Sequence, residues 1–348
     1  MQKKKKEDYY NKAKKAFEEM DKVFEYTIIP EGTIVKPYIP VFQFKGPKVI
    51  GQMIETKITN IINGPTGFKT FKEYGSKRVI HNIENILFNS KEYERKLREK
   101  AREYRNSTTK VILEAAYRRA PSEDIAIKAS KIAIEEGWNG TSNVAAYMTG
   151  EINIDAIGGT MAHAFVMSFE TEIEAFRVWN EIYPNSTILV DTYDTINAVK
   201  SLIENNIKPA TVRIDSGDLK EMTYKVRKIL NEAGWNDVKI FISGDITPEM
   251  LREFEEEGVP FDITMAGTKY VNIEEIAFIN AGFVYKIVEY INKKGERVFP
   301  VKKATGKSNY PGLKEVYFNN DIVVKIGNDF GFFGNPKTIT RDSKVKFI

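Results

Sequence analysis

The sequence predicts an α/β protein whose parallel strands carry helices on their outer faces, and three observations predict it. From about Thr109 onward, short runs rich in β-branched and aromatic residues end in polar residues and glycine, and a helical stretch follows each. Strand and helix alternate strictly through the middle of the chain, which calls for crossover connections and hence parallel strands. The 348 residues, 42% of them hydrophobic, can bury a core large enough for one big domain or two ordinary ones. The middle of the chain is therefore an α/β barrel or a doubly wound sheet.

The elements follow in order. The lysine-rich start MQKKKKEDYY reads as a solvated terminus rather than a nucleic-acid arm. The stretch EGTIVKPYIPVFQFKG reads as short antiparallel strands broken by Pro37, Pro40 and Gly46. KEYERKLREKAREYRN is a charged helix with Tyr93, Leu97 and Tyr104 at helical spacing as its core-facing side. The parallel strands are expected in VILEAAYRR, IDAIGGTMAHAFVMS, STILVDTYDT, ATVRIDSGDL, VKIFISGDIT and FDITMAGTKYV. Between them, Ser122 caps a helix that stops at Gly137, and Thr247 with Pro248 opens one that stops at Gly258. After Gly282 the alternation returns to strand-like around a turn from Lys293 to Gly295, and this tail is suited to pack back onto the N-terminal region. Three regions result: an N-terminal α+β region over 1–110, an α/β barrel with an active-site rim over 111–281, and a returning C-terminal segment over 282–348.

Composition excludes several classes of function. No apolar run approaches the roughly 20 residues needed to cross a bilayer, and the N-terminus lacks the apolar segment of a signal peptide, so the expected location is the cytoplasm with no membrane partner. The absence of cysteine removes disulfides, a thiol nucleophile and cysteine-held metals. Two histidines, His81 and His163, are too few for a histidine metal cluster, so any metal is a carboxylate-held ion of the Mg²⁺ type. A net charge of +4, much of it in the first fifteen residues, implies no nucleic-acid partner.

In a parallel α/β fold, ligands bind where the strands end. Most of the expected strands end in reactive or phosphate-friendly groups: Arg118 with Arg119, Asp191 with Asp194, Arg213 with Asp215, Gly244 with Asp245, and Gly267 with Thr268. His163 follows Gly158, Gly159 and Thr160 at the end of what reads as a buried strand. Carboxylates, arginines and glycine turns on one rim suit a phosphorylated, polyhydroxylated substrate, because aspartates hold ribose hydroxyls or a hydrated Mg²⁺ and arginines neutralise phosphates. Each such motif also has a plainer reading, since a strand-end Asp often only caps the next helix.

Taken in order, nine blocks resemble those of the nicotinate phosphoribosyltransferase family: RRAP, GWNGTSNVAAY, GGTMAHAF, ILVDTYDT, VRIDSGDL, ISGDIT, AGTKYV, FVYKIVEY and KATGKSNYPGLKEVY. The resemblance runs, with a gap, from roughly Pro30 to Tyr317. It implies an irregular α/β barrel with a second, discontinuous α+β domain built from both chain ends, in a homodimer with shared active sites. It also implies the reaction: nicotinate and phosphoribosyl pyrophosphate give nicotinate mononucleotide and pyrophosphate, coupled to ATP hydrolysis, in NAD biosynthesis or salvage, with Mg²⁺.

The same resemblance assigns roles. His163 stands at the histidine that ATP phosphorylates; a neutral imidazole is a competent phosphate acceptor near neutral pH. Asp215 and Asp245 stand where carboxylates position the ribose and stabilise its developing positive charge. Thr160 belongs to the histidine block; Gly244, Gly267 and Thr268 lie where the family cradles the 5′-phosphate. Arg213 matches the residue that borders the pyridine ring and its carboxylate, and Arg118 the one near ring and phosphates. Ser142 stands where nicotinamide-using relatives place an Asp, which would repel a carboxylate, so Ser142 favours nicotinate. Lys303 and Lys307 are candidate phosphate contacts, and Tyr10, in EDYY, matches a tyrosine that crosses to the partner subunit and stacks on the ring. His81 lies outside the blocks and has a surface or packing role.

The sequence also departs from the pattern. Ala115 and Ala116 stand where the family has Phe-Gly, which removes a ring-stacking surface worth about 1 kcal/mol; strand alternation would turn Tyr117 away from the face of Arg118. The stretch 82–106 is longer than the family spacing, and the stretch between Tyr10 and Pro30 is short and lacks the usual early strand. A related type II phosphoribosyltransferase using nicotinamide or another base, and a non-catalytic nucleotide-binding homologue, are the alternative readings. The joint presence of His163, Asp215 and Asp245 favours catalysis.

Overall fold

In a computed structural model of the chain, the described residues are 25–36, 39–75, 80, 81, 84, 90–274, 276, 280–300, 312–319 and 322–327. They fall into two compact units, one running from Glu55 to Tyr285, the other made of residues up to Ile54 and from Lys286 onward. The second unit thus draws on both ends of the chain, as expected. The charged helical region before residue 111 lies in the same unit as the parallel strands.

In the discontinuous unit, strands β1 (Glu25–Ile28) and β2 (Phe42–Lys45) pair antiparallel, with Ile28 opposite Phe42. The C-terminal segment reaches them directly: Gln43 Nε2 donates to the Lys314 carbonyl at 2.7 Å, and the Lys314 N–H donates to Gln43 Oε1 at 2.9 Å. Ile29 and Val316 share a small buried cluster with Val35, Ile39 and Val41.

In the larger unit, α1 (Lys48–Tyr74) supplies its residues from Glu55 onward, and α2 (Ser90–Asn106) is the charged helix the sequence predicts. Tyr93, Leu97, Ala101 and Tyr104 are all buried, one helical face, while Arg95, Glu92 and Glu99 pair on the outer one. Strand β3 (Val111–Glu114) follows, then α3 (Glu123–Glu135), β4 (Gly140–Thr141), α4 (Val144–Met148), α5 (His163–Val166) and α6 (Glu172–Ile182). The alternation continues with β5 (Thr187–Leu189), α7 (Thr195–Glu204), β6 (Thr211–Ile214), α8 (Leu219–Glu232), β7 (Lys239–Ser243), α9 (Pro248–Glu256), β8 (Ile263–Ala266) and α10 (Thr268–Val271). Side chains at the N-caps accept from the first turn, Ser122 from Ile125 N and Thr247 from Met250 N, with Pro248 opening α9. In the discontinuous unit, β9 (Tyr290–Ile291) and β10 (Arg297–Val298) form the hairpin expected around Lys293–Gly295, and β11 (Glu315–Asn319) pairs with β12 (Ile322–Gly327).

The strands β3 to β8 form one curled parallel sheet in the order β4-β3-β8-β7-β6-β5, half of an irregular barrel, with helices packed around it. Two expected strands are shorter or absent. β3 ends at Glu114, because Ala116 takes a helical backbone and Tyr117–Arg119 forms a 3₁₀ turn. Strand alternation therefore does not govern Tyr117, which is buried with its hydroxyl on Glu123. The run IDAIGGTMAHAFVMS touches the sheet through a single bridge, Thr141 to Ile157, after which the chain leaves the ladder. His163 thus opens a short helix instead of closing a strand.

The buried face of α2 reaches the rim. Tyr104 donates to the Ile246 carbonyl at 2.7 Å, one residue beyond Asp245, and Tyr93 donates to the Val271 carbonyl at 2.6 Å. Tyr104 also packs edge-on to Trp138 and Tyr270, with centroids 5.4 and 6.2 Å away. Tyr104→Phe leaves a buried carbonyl unpaired and should cost about 1–3 kcal/mol, whereas Glu99→Ala, in an exposed ion pair, should cost less than about 1 kcal/mol. Chemical denaturation of both variants checks this; equal midpoints would contradict it.

Candidate active site

The sequence places a charged or polar group just past each of the six parallel strands, and folding gathers them on one edge of the sheet. At its centre lies Arg213, the third residue of β6, with its guanidinium spread over three partners. Nη2 donates to Asp215 Oδ1 at 2.7 Å, Nη1 to Thr160 Oγ1 at 2.7 Å, and Nε to Ser243 Oγ at 2.9 Å. The same guanidinium lies 5.6 Å from the ring centre of Phe241 on β7. Ser243 in turn donates to Asp215 Oδ1 at 2.6 Å.

His163 faces this pair. Its Nε2 is 3.6 Å from Asp215 Oδ2, an ion-pair distance and not a hydrogen bond, and its Nδ1 is 3.1 Å from Thr192 Oγ1. Burial alone would raise the Asp215 carboxyl, but the Arg213 charge, the facing imidazole of His163 and the Ser243 hydroxyl outweigh it and hold the group well below the usual Asp range. Asp215 is therefore a carboxylate at any pH near neutral.

Two glycines shape the floor. Gly244 has φ of +105°, and a Cβ there would sit 2.5 Å from the Asp215 carbonyl oxygen, so the turn after β7 closes on Asp215 only with glycine. Asp245, next in the chain, also takes a positive φ of 49° and is exposed at the rim. Gly267, after β8, approaches the Ala115 carbonyl so closely that a Cβ would lie 2.5 Å away. Thr268 then opens α10. Gly158 and Gly159 are exposed and border open space instead.

The two arginines after β3 separate. Arg118 is half exposed and pairs with Glu55 at 3.1 Å. Arg119 donates to the Phe283 carbonyl at 3.0 Å, and burial, with the charge of Arg118, lowers its pKa. Asn60 and Asn63 of α1 donate to the carbonyls of Tyr117, Ala120 and Arg118, and Gly64 lies against Pro121, so α1 clamps the arginine turn. Ser142 is exposed past β4, its N–H on the Glu114 carbonyl at 2.9 Å.

Of the residues singled out in the sequence, Thr160, Arg213 and Asp215 form one hydrogen-bonded group that His163 faces, with Gly244 against it. Arg118, Ser142, Asp245, Gly267 and Thr268 follow neighbouring strands of the same sheet. Tyr10, Lys303 and Lys307 lie outside the described residues. Asp194 takes the plainer role and caps α7 through Asn197 N. Thr192 and Ser243 join the group without having been singled out; each follows or ends an apolar strand run, a position shared by many structural hydroxyls. No set of three or more His, Asp or Glu able to hold a metal occurs among the described residues, and no helix there is long and apolar enough to cross a membrane.

Beside Thr192 lies a second acidic pair. Asp191 is 3% exposed and accepts from Ser216, yet its Oδ1 and the Oε1 of Glu172 are buried without a hydrogen-bond partner among the described residues. Burial pushes the Glu172 carboxyl up to about 8, and the charges of Asp191 and Asp194 add to the shift from 4.5. Between those two values the folded chain holds a proton that the unfolded chain has released, so stability is full below the window and declines as pH rises through it. Glu172→Gln should flatten that decline, melting above the wild type at about pH 9 but not at about pH 5. Scanning calorimetry at both pH values checks this, and parallel shifts at the two would contradict it.

No protein-family model matches the chain. It is 32% identical over 296 residues to nicotinate phosphoribosyltransferase of Bacillus subtilis, covering 82% of this chain and 54% of that protein. It is 29% identical over 311 residues to a nicotinate phosphoribosyltransferase of Mycobacterium tuberculosis, covering 88% of this chain and 59% of that one. The chain thus spans little more than half the length of these relatives. Its fold is similar to the crystal structure of nicotinate phosphoribosyltransferase from Porphyromonas gingivalis, with a TM-score of 0.62 at 18% identity, covering 82% of this chain and 73% of that one. By this relatedness, the chain belongs to the nicotinate phosphoribosyltransferase family.

Proposed function

We propose that the chain is a nicotinate phosphoribosyltransferase, which forms nicotinate mononucleotide and pyrophosphate from nicotinate and phosphoribosyl pyrophosphate while hydrolysing ATP through a phosphohistidine at His163. The observation that carries this reading is the part-buried pair of Arg213 and Asp215 at the end of β6 with His163 facing it. Breaking the ribosyl C1 bond to pyrophosphate builds positive charge on the sugar, and a carboxylate kept ionised beside the ribose stabilises it. Asp215 suits this role by its low pKa, and Asp245 by its exposed position on the next turn.

His163 suits the coupling step. Once Nε2 has released its proton to solvent and the ring keeps one on Nδ1, toward Thr192 Oγ1, the Nε2 lone pair attacks the γ-phosphorus of ATP; the Nε2–P bond forms, the bond to the bridging oxygen breaks, and ADP leaves with its electron pair. Among the described residues no group of three or more His, Asp or Glu makes a metal cage. Mg²⁺ would enter bound to diphosphate oxygens, where it neutralises charge, with Asp245 as the exposed carboxylate able to meet it. Ser142 offers a neutral hydroxyl to a pyridine carboxylate, and Arg118 a charge to it or to phosphate. A homodimer in which Tyr10 of one chain completes the partner's site belongs to the same reading.

Incubation with nicotinate, phosphoribosyl pyrophosphate and ATP should yield the mononucleotide by mass spectrometry. His163→Ala should lose nicotinate-stimulated ATP hydrolysis by about a hundredfold or more and retain slow transfer at high substrate. Normal ATP turnover in that variant would remove His163 from the coupling, and product from nicotinamide alone would reassign the base.

A further inference from the structure

Glu114 is a charged residue at the end of an apolar strand, and it is completely buried. Its carboxylate is the common acceptor of a closed set of donors. Oε1 accepts the Ala116 N–H, and Oε2 accepts the hydroxyls of Thr141 and of Ser130, the latter at 2.7 Å. Both hydroxyls are themselves fed by Asn143: its backbone N–H donates to Thr141 Oγ1 at 2.9 Å and its Nδ2 to Ser130 Oγ at 2.9 Å. Ser130, Thr141 and Asn143 are each at most 3% exposed, so water has no place in the set.

These donors belong to two different rim segments. Ala116 starts the turn that presents Arg118, and Thr141 and Asn143 flank Ser142. We infer that Glu114 is a positioning residue, whose buried carboxylate ties the turn carrying Arg118 to the loop carrying Ser142 and so fixes the spacing of the two side chains that would face the pyridine carboxylate and phosphates. The inference rests on the proposed reaction for its effect on substrate, and on geometry alone for the tie. An apolar residue of similar size would fill the volume, and the cost of burying an acid is large. The fully satisfied donor set offsets that cost and fixes one arrangement of both segments.

Glu114→Gln keeps the volume but removes the charge and replaces one acceptor oxygen by an N–H₂, so the hydroxyls of Thr141 and Ser130 lose the charged acceptor they share and must reorient to meet the amide. Two measurements on this variant separate the tie from the reaction. Hydrogen exchange should accelerate by about tenfold or more at residues 116–120 and 141–145 and stay unchanged in β6 and β7. Steady-state kinetics should show KM for nicotinate raised about tenfold with kcat changed much less. Unchanged exchange at both segments overturns the inference whatever the kinetics, and accelerated exchange with an unchanged KM overturns the positioning role. A wild-type chain that forms no product while the variant shows the local acceleration supports the tie and rejects the proposed function instead. Should Glu114→Gln fail to fold, Ser130→Ala, which removes one donor and leaves the carboxylate, carries both measurements with the same criteria.

Discussion

The rim is organised by one largely buried ion pair, Arg213 with Asp215, whose side chains are 14% and 19% exposed. Taking a guanidinium and a carboxylate out of water costs several kcal/mol for each ion, and their attraction offsets that only when the remaining donors and acceptors are also met. Here they are met from three directions, by Thr160 from the glycine-rich segment before α5, by Ser243 from the end of β7, and by the facing imidazole of His163. The pair therefore fixes more than itself. It pins the segment that leaves the sheet after Ile157, closes the turn at Gly244, and sets His163 against a permanent negative charge.

Around that pair, the rest of the larger unit supplies rigidity. The short strands, three to five residues long from β5 to β8, put each rim residue within a few positions of a mostly buried segment. Helix α2 adds a second layer of restraint, because its buried tyrosines end on the carbonyls of Ile246 and Val271, just beyond Asp245 and Thr268. A site whose loops are held by buried hydroxyls and carboxylates rather than by loop packing alone is preorganised, which is where electrostatic catalysis takes its effect.

Much of this was legible in the sequence. The alternation of β-branched runs and capped helices gives the parallel sheet, Ser122 and Thr247 cap where expected, and Tyr93, Leu97 and Tyr104 bury as their spacing requires. Arg213 and Asp215 stand at the end of β6 as their strand run requires, whereas Thr160 and His163 reach them from a segment that has already left the sheet. What was not legible depends on local backbone choices and long-range pairing. VILEAAYRR is apolar enough for a strand throughout, but Ala116 turns helical and the arginines ride on a 3₁₀ turn that α1 clamps from 55 residues or more away in sequence. The His163 segment reads as a strand because its composition is apolar, yet only Ile157 finds a partner in the sheet. Thr192 and Ser243 carry no sequence mark of their role, whereas Glu114, an acid inside an apolar strand, does.

Phosphorus NMR of pyrophosphate release from phosphoribosyl pyrophosphate, with nicotinate present, tests the role of the Arg213–Asp215 pair most directly when run on the wild-type chain and on Asp215→Asn. The asparagine keeps the shape and a hydrogen bond to Arg213 but loses the charge that would face the sugar. Release by the wild type, reduced about a hundredfold or more in a folded Asp215→Asn chain, is the expected result. Release at the wild-type rate from folded Asp215→Asn would contradict it.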